Sequence, residues 1–407
     1  MAHSIFSASA SSRWLNCPGS LAMAKGIESK AGAAAFLGTA GHELADQCLK
    51  NDTDPETFDS VTFKDGGKTH TVELDQAFVN GIQKYVDYIR GITGLRFPEM
   101  RVCYGTPWLQ IPNKMAFGTS DAIVYDEEDK ELDVVDLKTG RVYVSSEENT
   151  QMLLYAAGAI TTLEWMGYEI KTVNMTIVQP FVSGQPSTWT LTRSVFNSKL
   201  KELKEKSQKA KRALRFENDV KGDKVFQKTY LSPGEDQCRW CPALTFCPAV
   251  KQAVDRVVEA AQDEEFEEMI KKLSPDELGA RLNEIPLVAI YIKAIEAEAF
   301  DRLSAGEPVT GKKLVVGRQG ARAWAPSAEE VIAKLTEGGL PEETFLNPPS
   351  LRTPTQVDTA VKRDNEAKDL VASLVTRAPG KPTLADEDDP REPWTGGMTD
   401  DEFEVIS

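Results

Sequence analysis

A mixed α/β fold, with a central mixed sheet flanked by helices, is what this chain predicts, and three observations carry the prediction. Apolar residues recur at helical spacing over 73–93, at Leu74, Phe78, Ile82, Tyr85, Val86 and Ile89. Short β-prone runs then follow at 99–104, 107–111, 117–125 and 131–138, the last two joined by the polar turn Asp126-Glu127-Glu128-Asp129-Lys130. Beyond them come a helix over 146–166, strands at 172–180 and 187–193, and a basic helix over 194–216. Helix, strands, helix, strand is the order of a sheet covered by helices.

The remaining elements are justified from the N-terminus onward. Residues 8–26 read as a helix carrying Cys17, with Ser11 or Ser12 as its cap. The small residues Ala31 to Ala35 lead into Gly38-Thr39-Ala40-Gly41-His42-Glu43, a helix start with Thr39 as a cap. Beyond about 253 the texture changes to helices rich in Glu, Lys and Ala over 253–273 and 275–304. A short strand at 312–316 and helices at 327–336 and 354–376 follow. From Ala378 the chain is rich in Pro, Gly and acid, the composition of a disordered segment. The expected division is therefore 1–252, a mainly helical accessory region 253–378, and an acidic tail 379–407.

Composition bounds the function. With 407 residues, 41% hydrophobic and 27% charged, the chain has an ordinary globular make-up. No run approaches the eighteen or so apolar residues of a membrane span, and the start lacks a basic region followed by an apolar core. A cytoplasmic, reducing setting is expected, with no membrane partner. The net charge of -16 argues against wrapping DNA on a general basic surface, but leaves room for a local basic groove. Between Arg193 and Lys228 twelve Lys and Arg face five Asp and Glu; from Asp386 to Glu404 nine acids face one arginine. The basic stretch, with Lys199, Lys201, Lys204, Lys209, Lys211, Arg212 and Arg215, is either the solvated face of a helix or a wall that tracks the phosphates of a single strand. The acidic end is either solvated or docks on a basic groove.

Cys238, Cys241 and Cys247 are spaced C-x2-C-x5-C, and Cys17 stands far upstream. Four thiolates suit either a structural Zn2+ or a 4Fe–4S cluster, and in a reducing compartment such clusters more often bind metal than pair. Trp240 and Phe246 inside the cysteine loop either stack on bases or pack around the cluster. Cys48 and Cys103 read as buried small hydrophobes.

The chemistry lies between the cysteines. Gly118 to Gly140 reads GTSDAIVYDEEDKELDVVDLKTG. Asp136 and Lys138 share one face of an otherwise apolar strand while Leu137 points away, a costly placement unless a cation is held there. Asp121, on the neighbouring strand, reaches the same place. Hard oxygen ligands suit Mg2+ or Mn2+, which polarise a scissile phosphate, with Lys138 placed to offset developing charge. The plain alternative is a half-exposed pair beside a turn. Gln151 and Tyr155, four apart on a helix, present neutral hydrogen-bonding groups on one face. His42 offers an imidazole, and Glu43 beside it is a rival ligand.

Taken in order, Gly-x3-His, Gly-x2-Asp, Asp-x-Lys and Gln-x3-Tyr, enclosed by one cysteine before and three after, resemble the RecB-type branch of the PD-(D/E)XK nuclease superfamily. The likeness covers roughly residues 10–250. More narrowly the chain is similar to its iron–sulfur members: the AddB nuclease subunit, the CRISPR-associated RecB-like exonucleases and a phage and prophage group. Gly311 to Arg318 and Gly380 to Leu384 resemble that last group in particular. The resemblance implies a restriction-endonuclease-like core with an iron–sulfur clasp. His42, Asp121 and Asp136 become metal ligands together with the Leu137 carbonyl, and Lys138 the catalytic lysine. Gln151 and Tyr155 position DNA or the lysine, and Cys17, Cys238, Cys241 and Cys247 hold a structural 4Fe–4S cluster. Ser120 stands where the superfamily name puts a proline, and Asp136 where a glutamate is common.

The expected function is thus a Mg2+- or Mn2+-dependent DNA nuclease, an exonuclease on single-stranded DNA or duplex ends, serving phage recombination or replication in the host cytoplasm. A phage recombinase or single-strand-binding protein is the expected partner. The alternative is a non-catalytic DNA-binding or recombination-mediating protein that keeps the nuclease fold. A zinc-stapled virion scaffold is a third reading, resting only on the acidic charge.

Overall fold

A computed structural model describes residues 4–27, 33–65, 67–182, 185–216, 220–261, 271–317, 322–324, 327–347, 350–362, 364–376, 383–386 and 391–394. It divides into two units, residues 1–294 and 295–407. The predicted mixed α/β architecture is found in the first.

Its helices are α1 (Ser11–Asn16), α2 (Ser20–Met23), α3 (Ala33–Asn51), α4 (Gln76–Gly91), α5 (Thr150–Trp165), α6 (Arg193–Leu214), α7 (Lys224–Tyr230), α8 (Glu235–Arg239), α9 (Pro248–Ala261) and α10 (Pro275–Ser304), the last running past the unit boundary. A separate hairpin pairs β1 (Ser60–Asp65) with β2 (Lys68–Glu73). The main sheet has five strands in the order β3-β4-β5-β6-β7: β3 (Leu95–Cys103), β4 (Phe117–Asp126), β5 (Glu131–Leu137), β6 (Thr172–Val178) and β7 (Ser187–Thr192). Every neighbouring pair is antiparallel except β5–β6, which is parallel. A parallel pair cannot be closed by a tight turn. The connection passes through α5, a helix so deeply embedded that Met152 to Ile160 are all buried.

Side-chain alternation along the strands feeds two cores. On β4, Ala122 and Val124 join Val135 and Leu137 of β5 beneath Leu44 of α3 and Tyr85 and Val86 of α4. Ile123 and Tyr125, with Leu132 and Val134, face the opposite way, against Leu153 and Ile160 of α5, Phe196 and Leu203 of α6 and Trp14 of α1. The sheet is thus covered on both faces.

Several expected elements differ. The helix over 8–26 is broken at Cys17-Pro18-Gly19, because Pro18 has no N–H to continue it. Thr39 lies inside α3, which already runs from Ala33. Residues 107–111, framed by Pro107 and Pro112, form no strand; Gly105–Leu109 makes a helical turn instead. The hairpin over 60–73 was unforeseen, and α4 starts only at Gln76, capped by Asp75, whose carboxylate accepts the Phe78 N–H at 2.6 Å. The unit boundary falls later than residue 252, because Val250 and Ala253 of α9 and Leu287 of α10 pack with Cys238 and Leu244.

The second unit holds α11 (Ala328–Glu337), α12 (Glu342–Phe345), α13 (Pro354–Ala360) and α14 (Asn365–Ser373) around Val331, Leu335, Phe345, Val357 and Val371. The helix expected over 354–376 is therefore two, the second opened by Asp364, which accepts the Ala367 N–H. Short strands accompany them: β8 (Lys312–Val315), β9 (Ala323–Trp324), β10 (Leu346–Asn347), β11 (Ser350–Leu351), β12 (Val375–Thr376) and β13 (Thr383–Asp386). β13 pairs with β8, so part of the expected disordered tail is ordered as a strand. The acidic end over 395–407 and Gly380 to Pro382 lie outside the described residues.

Candidate active site

The site forms where two strands part. The β4–β5 ladder runs from Asp126 opposite Glu131 to Ala122 opposite Val135, and ends there. The next facing residues are Asp121 and Asp136, and the Leu137 N–H donates to Asp121 Oδ2 at 2.7 Å. A carboxylate has replaced a carbonyl as the ladder's acceptor. β5 keeps its pairing to β6 through Asp136 and Leu137, so its end stays rigid.

Asp136 is 2% exposed. Its Oδ1 accepts from Gln151 Nε2 at 2.6 Å, and Gln151 Oε1 accepts from Lys138 Nζ at 3.1 Å. Lys138 Nζ forms an ion pair with Asp136 Oδ2 at 2.8 Å. One amide therefore holds both the acid and the amine. Gln151 is fixed in the first turn of α5 by the Asn149 cap, which accepts its N–H at 3.1 Å. Tyr155, one turn on, lies against Gly118, where a Cβ would come within 2.7 Å of its ring. This is why the Gly-x2-Asp pattern begins with glycine.

α3 delivers His42 by an equally close approach. A Cβ at Gly41 would meet Thr139 Cγ2 at 2.9 Å, so the helix can lie against the end of β5 only without one. His42 Nδ1 comes within 3.1 Å of Asp121 Oδ1, with the histidine side chain about a third exposed. Glu43, the rival ligand, instead accepts from Gln47.

Glu99 of β3 was missed from the sequence. Pro98 pairs with Ala122 and Met100 with Ser120, which sets Glu99 opposite Asp121. Its φ is +48°, a left-handed conformation uncommon for glutamate and concentrated at functional positions. Ligand atoms of His42, Glu99 and Asp121 all lie within 4.8 Å of one another, the one such group among the described residues. Its role follows from cross-strand register, which single-strand patterning does not reveal.

The charges are unbalanced. Burial pushes the Glu99 carboxyl up to about 7, reinforced by Asp121. Burial also raises Asp136, helped by Asp121 and opposed by Lys138. Asp121 moves the other way: burial is outweighed by His42 and by the Leu137 N–H. On His42 burial is likewise outweighed by Asp121, which lifts the imidazole to about 9. Lys138 is held as the ammonium by Asp136 despite burial. Burial and the Asp136 and Asp121 charges keep Tyr155 a phenol. Three carboxyl groups facing one lysine and one histidine, with the buried Asp136 Oδ2 met only by the Lys138 ammonium, fit a divalent cation held by oxygen ligands.

The cysteines lie elsewhere. Cys17, Cys238, Cys241 and Cys247 line one small cavity walled by Met23, Leu231, Leu244 and Val250. The Ser232 N–H donates to Cys17 Sγ and the Gly234 N–H to Cys238 Sγ, both at 3.4 Å. Burial pushes the Cys17 thiol up to about 11 and the Cys238 thiol up to about 12. Amide donors aimed at sulfur fit thiolate ligands. The sulfurs do not form a group within 4.8 Å, so they gather round the cavity without closing on one point. Trp240 is 83% exposed and does not pack around them, while Phe246 carries the Lys221 ammonium over its ring. Cys48 is buried and Cys103 half-buried.

The basic residues of α6 are not one free wall. Lys199 pairs with Glu148, and Lys211 donates to the Gln110 carbonyl. Lys201, Arg212 and Arg215 are exposed, and Lys204 and Lys209 half-buried. Among the described residues no helix is long and apolar enough to cross a membrane.

Fold and site together define a mixed α/β protein with an acidic, lysine-bearing centre at a parted strand pair. The chain belongs to the family described as "Protein of unknown function (DUF2800)", whose pattern it matches over residues 3–392. No solved structure matches it.

Proposed function

We propose that the chain is a metal-dependent deoxyribonuclease of the RecB-type PD-(D/E)XK class, acting as an exonuclease on single-stranded DNA or duplex ends in phage recombination or replication. The observation that carries this reading is the Asp121–Asp136–Lys138–Gln151 network beside His42. Burying an acid and an amine costs several kcal/mol per ion unless each is fully partnered, an expense that a simple binding surface does not require.

Asp121, Asp136, His42 and Glu99 would hold the cation. When bound, Mg2+ or Mn2+ supplies Lewis-acid polarisation of the phosphodiester and lowers the pKa of the attacking water. Lys138, kept charged by Asp136 and aimed by Gln151, offsets the negative charge that develops on the phosphate oxygens. Tyr155, kept protonated, retains its hydroxyl as a donor. The Leu137 N–H fixes the Asp121 carboxylate so that its other oxygen stays turned to His42.

The four cysteines would hold a 4Fe–4S cluster as a clasp, as the likeness to the iron–sulfur nucleases implies, with a structural Zn2+ as the alternative. Anaerobically purified protein is expected to be brown with stoichiometric iron and sulfide; a colourless protein with one zinc replaces the cluster by the metal.

End-labelled single- and double-stranded DNA incubated with Mn2+ tests the activity. Label is released by the wild type and not in the presence of chelator, and Lys138→Ala lowers kcat by about 10²–10³-fold with an unchanged circular dichroism spectrum. DNA bound but left intact under every divalent ion would replace this reading with the non-catalytic one.

A further inference from the structure

The segment between Lys138 and Gln151 is pinned at both flanks and presents its tip to solvent. Gln179, just past β6, holds the near flank: its Nε2 donates to the carbonyls of Val142 at 2.8 Å and Gly140 at 3.5 Å, and its Oε1 accepts the Val144 N–H at 2.7 Å. On the far flank the Ser146 N–H donates to Ser187 Oγ at 3.0 Å, and Ser146 is 1% exposed. Between these clamps Val142 is 72% and Tyr143 63% exposed, beside an exposed Arg141.

We propose that Tyr143 is a stacking platform for a nucleobase of the strand whose phosphate lies at Asp121, Asp136 and Lys138. The inference rests on the nuclease reading and adds to it how the strand is gripped. Three observations favour a nucleobase as occupant. Tyr143 follows Lys138 by five residues, so its Cα lies within roughly 17 Å of the catalytic lysine. The same segment is tied through Glu148 to Lys199 of α6, the helix that also carries the exposed Lys201 and Arg212. An aromatic ring on a clamped backbone loses little freedom on stacking, and every base offers a π-face.

Binding of a fluorescein-labelled oligo-dT, followed by anisotropy in Ca2+, tests the proposal without turnover. Tyr143→Ala is expected to weaken binding roughly five- to a hundredfold, and Tyr143→Phe to restore it, because the ring and not the hydroxyl is used. On a base-free strand of the same length, wild type and Tyr143→Ala should bind alike. Unchanged affinity in Tyr143→Ala, or an equal loss on the base-free strand, overturns the proposal. So does concentration-dependent self-association that Tyr143→Ala abolishes, which would assign the tip to a second copy of the chain. Cleavage by the wild type together with unaltered Tyr143→Ala affinity sinks this inference and leaves the nuclease reading standing. Binding loss in Tyr143→Ala without cleavage by the wild type does the reverse.

Discussion

Glu99 shows what a single residue contributes when register, not sequence spacing, places it. It sits across from Asp121 in a left-handed conformation and shares a ligand group with His42. Replacing it by Gln keeps the volume and removes one charge from the oxygen set, so Mn2+ affinity should fall on the order of ten- to a hundredfold. Isothermal titration of the variant checks this, and an unchanged affinity would remove Glu99 from the site. The rest of the centre was legible in the sequence. Asp136 with Lys138 and Gln151 with Tyr155 stand out by short-range spacing, Asp121 by its place on the neighbouring strand and His42 by its imidazole, and the fold brings all six together. The two spaced pairs lie within one strand and one helix turn, where spacing fixes direction. Glu99 had no such pattern, because Leu95 and Arg96 before it are exposed and break the alternation.

At the scale of elements, two effects on the sheet can be weighed. Gly158 lies mid-helix in α5, where Ala would gain about 1 kcal/mol of helix propensity. A Cβ there would stand 2.7 Å from Val102 Cβ and 3.1 Å from the Cys103 backbone nitrogen of β3. Overpacking against backbone costs about 1–3 kcal/mol. The clash wins, and Gly158→Ala should unfold at lower urea than wild type. Asp133 on β5 acts through pH. Burial raises its carboxyl from 3.8 to about 6 against a hydrogen bond from Asn174. Between those values the folded chain keeps a proton that the unfolded chain has lost, so stability falls as pH rises through the window. Asp133→Asn removes the penalty. For this half-buried group the gain at pH 7 is about 1–2 kcal/mol, and it should vanish below about pH 4; urea titrations at both pH values measure it. Elements were less legible where Pro and Gly intervene. The break at Cys17-Pro18-Gly19 and the turn at 105–109 both follow from prolines that local hydrophobicity had masked.

Over the whole first unit, the cysteine cavity joins the N-terminal helices to the segment after α7. Cys17 packs with Phe226 and Leu231, while Cys238 packs with Val250 and Leu287. A cross-link closing so long a loop is worth about 5 kcal/mol by chain entropy. At about 2 °C per kcal/mol for a chain of this size, Cys17→Ala should lower the unfolding midpoint by about 10 °C. A differential scan of anaerobically purified protein measures it, and an unmoved midpoint would show that the cysteines carry no clasp. The sequence indicated the quartet but not its surroundings: the amides of Ser232 and Gly234 that point at the sulfurs belong to a turn with no pattern of its own.

That joining also orders events in time. The ribosome delivers Cys17 early and Cys247 late, and at roughly 5–20 residues per second the wait between them is on the order of ten seconds or more. For most of it α1 and α2 have no partner from α7 or α9, and the Cys17 thiol waits without the other three cysteines. The central sheet, whose strands all lie inside the interval, can assemble and take Phe6 and Trp14 into its core before the last cysteine emerges. The cysteine set is therefore completed only after every strand of the sheet, and a nascent chain released before residue 247 leaves its first thiol without the other three.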